Sequence, residues 1–310
     1  MTIHENLTEF FGKPVVDFKA SGDIADFAST APRVRCEYDD QHTISDYLSM
    51  MLEEPGVAAT EALVLGLWCE NGETFEATPQ TAIELLVSSK GELPNLRALF
   101  VGDIVCEENE VSWITSADMS PLWGAFPKLE VFAVRGSNDL RLGKINHSQL
   151  HTLIVQSGGL GAGVVREALE ANAPLRHLEL WLGSENYGAN TTVADFADLL
   201  AGRLFPALET LALRNSEYTD DLAEALAIAP ILDRISTLDL SMGTFADRGA
   251  RALIQSGKLG RLAKLDVTHN YLTAPLRAEL GQATPVLVAD DPKTADEWDG
   301  EHHYYIALSE

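Results

Sequence analysis

The hydrophobic pattern along this chain is periodic, and its clearest copy is LAKLDVTHNYL, Leu262 to Leu272. Apolar residues stand at its first, fourth, sixth and eleventh positions, and an asparagine at the ninth. Leu262, Leu265 and Val267 are expected in a core. Asn270 is expected at a turn, its amide satisfying backbone groups of neighbouring coils. The same spacing opens at Ala62, Leu96, Leu129, Leu150, Leu175, Leu208, Ile235 and Leu262, in segments ALVLGL, LRALFV, LEVFAV, LHTLIV, LRHLEL, LETLAL, ISTLDL and LAKLDV. Seven of the eight open with Leu or Ile, and all are apolar at the fourth and sixth positions, a density that chance alignment does not reach. Successive starts lie 34, 33, 21, 25, 33, 27 and 27 residues apart.

Between these strands the apolar spacing lengthens to three and four residues. That predicts helices over Val193–Leu204, Asp220–Ala229 and Asp247–Leu259. Pro127, Pro174 and Pro206 stand just before the next strand, where a helix must already have ended. A strand followed by a helix, repeated, predicts an α/β solenoid shaped as a horseshoe, with parallel strands on the concave face and helices on the convex face. Stacking is obligatory. One unit buries about three or four Leu-sized side chains at ~1.5–3 kcal/mol each, against ~1–2 kcal/mol of backbone entropy for every residue ordered.

The repeats are expected over residues 59–281, with a long insert at 103–127. Residues 1–58 lack the pattern and are expected to cap the first coil, with strands at Val15–Phe18 and Arg33–Tyr38 and a helix from Ser45 to Glu53, stopped by Pro55-Gly56. Residues 282–310 carry a last strand, Val286–Val288, and an acidic tail that closes the far end.

A doubly wound nucleotide-binding fold also alternates strands and helices. SGGLGAG, Ser157 to Gly163, lies between a strand and a helix, but no window in it gives G-x-G-x-x-G. Strand texture decides against that fold. A sheet covered on both faces has nearly continuous apolar strands, whereas Glu179, Asp239 and Asp266 each sit between two core residues. One face is therefore wet.

The third, fifth and seventh positions of each unit define that face. Phe100, Arg135, Trp181 and Arg214 on it are residue types that dominate protein–protein contacts. They are expected to form a contact patch, with Glu179, Asp239 and Asp266 as an acidic strip selecting basic groups on a partner protein or peptide. The competing expectation is that the early, apolar part of the face is covered by the chain itself. The insert, with Trp113, Met119 and Trp123, is the obvious cover.

Charge narrows the partners. A net charge of −25 repels phosphate backbones and anionic lipid, so neither nucleic acid nor membrane is expected as a partner. The opening MTIHENLTEF lacks a signal-peptide core, and a cytoplasmic location is expected. Cys36, Cys69 and Cys106 form no CxxC pair and are expected as reduced thiols. No nucleophile elbow, phosphate loop or zinc spacing occurs, so no cofactor, metal or catalysis is expected. The alternative is an enzyme or metal protein using the His177/Glu179/Asp239 strip, or His302 and His303 in the acidic tail.

These repeats resemble the leucine-rich-repeat superfamily, in its ribonuclease-inhibitor-like class with a full helix per unit. VSWI (Val111–Ile114), HLELWLGSENYG (His177–Gly188), LALRNSEYTDD (Leu211–Asp221), LDLSMGTFADRGARAL (Leu238–Leu253) and FFGKPVVDF (Phe10–Phe18) are further similar to a bacterial family of such proteins without an assigned activity. The resemblance implies a soluble bacterial repeat protein and carries over no catalytic residue.

Overall fold

The computed structural model describes residues 3–37, 40–69 and 77–309. The chain forms two compact units: Ile3–Gln156 with Glu170–Ala173, and Ser157–Leu169 with Pro174–Glu310. In each, short strands pair side by side in chain order, and each strand returns through a helix or loop to the next.

The first unit holds β1 (Glu9–Phe10), β2 (Lys13–Phe18), β3 (Ala31–Val34), β4 (Ala62–Leu65), β5 (Ala98–Val101), β6 (Val131–Arg135) and β7 (Thr152–Gln156). β2 through β7 pair in parallel, and β1 closes the edge as an antiparallel hairpin arm on β2. Residues expected only as a cap therefore supply strands of the same sheet. The strand expected over Arg33–Tyr38 is β3, and Tyr38 lies outside the described residues. Helices α1 (Ile44–Leu52), α2 (Gln80–Ser88) and α3 (Ser120–Ala125) follow β3, β4 and β5. Thr43 and Asp46 form a capping box at the start of α1, which satisfies orphan backbone donors of the first turn. Register corrects the first repeat. Ala62 pairs with Ala98, so that unit opens at Thr60 and not at Ala62. A threonine in the leucine slot had hidden the phase. Trp68 consequently leaves the strand face, and is buried with its indole N–H donating to the Ala77 carbonyl at 3.0 Å.

The second unit holds α4 (Ala162–Leu169), β8 (His177–Gly183), α5 (Ala197–Leu200), β9 (Thr210–Ser216), α6 (Thr219–Ile228), β10 (Thr237–Asp239), α7 (Asp247–Gln255), β11 (Lys264–Asp266), α8 (Ala274–Ala283) and β12 (Leu287–Val288), with a terminal hairpin of β13 (Asp296–Trp298) and β14 (Glu301–His303). β8 to β12 pair in parallel, with Leu178, Leu211, Leu238 and Leu265 in one row. Fourth- and sixth-position residues of both units, from Leu63 and Leu65 to Leu265 and Val267, are wholly buried between sheet and helices. Asn270 behaves as its position predicts. Its amide donates to the Ala289 carbonyl of the next coil at 3.3 Å, and its carbonyl oxygen accepts from Leu272 N–H at 3.2 Å. The tail does more than close the far end. Ala307 bonds to Met242, past the end of β10, and Leu308 to Asn215, within the last residues of β9.

Candidate functional site

In the first unit the strand face is dry. Val64, Phe100 and Ala133 form a cluster on which Leu7, Phe10, Val15 and Ile154 pack, and the Phe10 and Phe100 ring centroids lie 6.2 Å apart. Phe100 is 3% exposed and Arg135 4%. The expectation that both stand on an open face is corrected. The Arg135 guanidinium lies 5.3 Å from the Phe100 ring, donates to Gln156 Oε1 at 2.8 Å and to the Ile104 carbonyl at 2.5 Å, and sits 3.9 Å from Asp103. Burial pulls its pKa down to about 10 despite the nearby carboxylates.

The cover is the N-terminal segment, held down by the first residues of the 103–127 insert and not by its Trp113, Met119 and Trp123. Asp103, fully buried, accepts from Leu7 N–H at 3.1 Å and from Arg33 at 2.9 Å, and Asn6 donates to its carbonyl at 2.9 Å. Cys106 N–H also donates to the Ile3 carbonyl and Glu108 accepts from Arg35, whereas the later part of the insert serves the other side of the sheet. It carries α3, and Trp123 there packs edge-on against Phe132 with centroids 5.0 Å apart and donates to the Leu142 carbonyl at 2.7 Å.

In the second unit β8 to β11 bring Glu179, Trp181, Arg214 and Asp239 together, with Asp266 beside Asp239 in register. Strand alternation puts all of them on one face. Arg214 is the hub. It donates to Glu179 Oε1 at 3.0 Å and to Ser241 Oγ at 2.9 Å, approaches Asp239 at 3.5 Å, and lies 5.0 Å from the Trp181 ring centroid. The Trp181 indole N–H donates to the same Glu179 oxygen at 2.6 Å, and His177 Nε2 lies 3.3 Å from the other. Trp181 is 5% exposed and Glu179 8%, so both support the surface more than they form it. His177, Arg214, Asp239, Lys264, Asp266 and Thr268 are half-buried and make up the surface itself.

The electrostatics follow from these contacts. Burial works against the Glu179 charge, but His177, Arg214 and Trp181 outweigh it and hold its carboxyl down at about 2. At Asp239 burial wins over Arg214 and Ser241, and the carboxyl is pushed up. At Asp266 burial loses to the Thr268 N–H and to Lys264, 3.0 Å away, and the carboxyl is pulled down. The acidic strip is thus largely compensated from within, with three carboxylates facing Arg214 and Lys264.

His147 is buried, with one ring nitrogen 3.0 Å from the Phe126 carbonyl and the other accepting from Gln149 N–H. Within Ser157–Gly163, Gly158 and Gly159 serve close chain approach, whereas Gly161 and Gly163 have open space around them. A Cβ on Gly159 would stand 2.0 Å from the Tyr187 carbonyl oxygen, and one on Gly183 (φ +75°) 2.0 Å from that of Gly158. His302 and His303 line a cleft of about 520 Å³ with Glu217, Asp220, Asp221 and Arg248. Among the described residues, the group of three metal-type ligands lying close together is elsewhere: His4, Cys106 and Glu107. No sequence spacing pointed to it, since His4 and Cys106 are far apart in the chain. Among the same residues no helix is long and apolar enough to cross a membrane.

No protein-family model matches the chain, and neither does any curated protein sequence. Among solved structures, it is similar to a protein from Bacteroides fragilis, 28% identical with a TM-score of 0.79, over 90% of this chain and 77% of that one. An internalin from Listeria monocytogenes, 14% identical over 92% of this chain and 82% of that one, superposes only loosely, at a TM-score of 0.33. Parallel strands in chain order, a leucine row shared from coil to coil, and an asparagine bridging coils at the turn make this a leucine-rich-repeat fold of the strand–helix, ribonuclease-inhibitor-like kind.

Proposed function

We propose that the protein is an interaction scaffold that takes a basic segment of a partner protein on the strand face of β8 to β11. A leucine-rich-repeat fold supports an interaction role in general. One observation carries the finer reading. Arg214 is fixed by Glu179, Ser241 and the Trp181 ring, so a polar surface is already ordered without a partner. Ordering in advance lowers the entropy cost of association. Asp239 and Asp266 stand half-buried beside it, with 20% and 14% of their side chains exposed, in a chain of net charge −25, and favour a cationic partner. Phe100 and Arg135 belong to the covered face and are left out of this surface. The scaffold acts without catalysis and without a cofactor, and neither nucleic acid nor membrane is its partner.

The test is selection of peptides from a random display library on the whole protein. The expected outcome is enrichment of Lys- and Arg-bearing peptides whose binding weakens with salt. The double variant Asp239→Asn/Asp266→Asn is expected to lose them while keeping its melting temperature. Selected peptides without cationic residues, or equal binding by the variant, would reject the proposal.

A further inference from the structure

We propose that His4, Cys106 and Glu107 hold a borderline divalent metal ion of the Zn²⁺ type, which staples the N-terminal segment over the dry face of the first unit. Cys106 Sγ lies 3.2 Å from His4 Nδ1 and 3.1 Å from a Glu107 oxygen, and His4 Nδ1 lies 2.6 Å from the other Glu107 oxygen. A nitrogen, a thiol sulfur and a carboxylate are the donor set such ions prefer. In a tetrahedral site with metal–ligand bonds of about 2.0–2.3 Å, ligand atoms stand roughly 3.3–3.8 Å apart. The three groups need to open by only a few tenths of an ångström to under one. His4 and Glu107 are exposed side chains, free to make that movement and to leave a fourth position for water.

The backbone makes the cluster more than a chance meeting. Cys106 N–H donates to the Ile3 carbonyl at 2.9 Å, beside the Asp103 contacts to Leu7 and Asn6 that pin the same segment. A metal there adds a crosslink between two segments 102 residues apart that only this fold brings together. On binding, the Cys106 S–H bond breaks, its proton leaves to solvent, and the sulfur electron pair forms the bond to the ion. Glu107 accepts from His4 Nδ1–H before the ion binds, so that proton also leaves to solvent, the imidazole keeping its other hydrogen on Nε2, and the freed Nδ1 lone pair forms the bond to the ion. The site is independent of the strand face of the second unit.

The experiment uses the full reduced chain with Co²⁺ as the spectroscopic probe and Zn²⁺ as competitor. One Co²⁺ per chain is expected, with a sulfur-to-cobalt charge-transfer band that Zn²⁺ removes. Cys106→Ser is expected to abolish the band, and His4→Gln to weaken binding. At free Zn²⁺ ten times its Kd, proteolysis within the N-terminal segment is expected to slow about tenfold. The absence of a thiolate band, or a band that persists in Cys106→Ser and so comes from Cys36 or Cys69, would overturn the proposal. A bound ion that leaves proteolysis unchanged would overturn its stapling part.

Discussion

Truncating Arg214 to alanine removes the hub of the second unit's strand face. The guanidinium contributes a charged hydrogen bond of 3.0 Å to Glu179, an ion pair of 3.5 Å to Asp239 and a ring contact to Trp181. A charged hydrogen bond is worth ~1.5–3 kcal/mol and a partly desolvated cation–π contact ~0.5–2 kcal/mol. Removing one member of a buried pair costs ~3–5 kcal/mol. Arg214's side chain is 22% exposed, so water reaches part of the gap. We expect a loss of about 2–4 kcal/mol in urea unfolding at pH 7. The sign of the pH dependence follows from Glu179. Its folded pKa, about 2, lies below its ordinary 4.5. The stability it confers is therefore present above pH 4.5 and lost as pH falls towards 2. The full depression corresponds to about 3 kcal/mol, shared by Arg214, His177 and Trp181. Asp239, pushed up by burial, has the opposite sign and gains as pH falls. Without Arg214 both carboxyls titrate higher, so the gap between native and variant protein is expected to narrow across that window. In a cycle with Glu179→Gln, the double variant is expected to cost about 1–3 kcal/mol less than the sum of the singles. A loss under about 0.5 kcal/mol, or a gap that stays constant with pH, would refute the hub role.

Two further outcomes follow from the packing. Leu238→Ala, in the wholly buried leucine row, is expected to cost ~2–5 kcal/mol by urea unfolding. Asp103→Ala leaves Arg33 and Arg135 without a buried counter-charge and frees Leu7 N–H. It is expected to cost ~3–5 kcal/mol, with new protease cuts before Gly12 in a mass-spectrometric digest.

How much of the site was legible in sequence depends on the contact. Glu179, Asp239 and Asp266 could be placed on one face because strand alternation is local, and the register of β8 to β11 preserves it. Their compensation by Arg214 and Lys264 was not legible, because it depends on side-chain reach between strands. The pattern puts Phe100 and Arg135 on the correct face of the sheet but leaves two readings, an open patch or a face covered by the chain, with the insert as the obvious cover. The cover comes from Leu7 and Phe10, which carry no repeat spacing, and its anchor Asp103 is one acid among 47 acidic residues. The first unit slipped by two residues because Thr60 fills a leucine slot, and only pairing with β5 fixes its phase.

By itself the sequence determined the coil. Apolar residues two apart on a strand, followed by apolar residues three and four apart, leave each unit one seam to bury, and only neighbouring copies of the unit bury it. Tertiary structure alone decided which stretch of strand face is shut and which is open. It also decided where His4 meets Cys106. Those outcomes depend on contacts between residues about a hundred positions apart, for which no local periodicity exists.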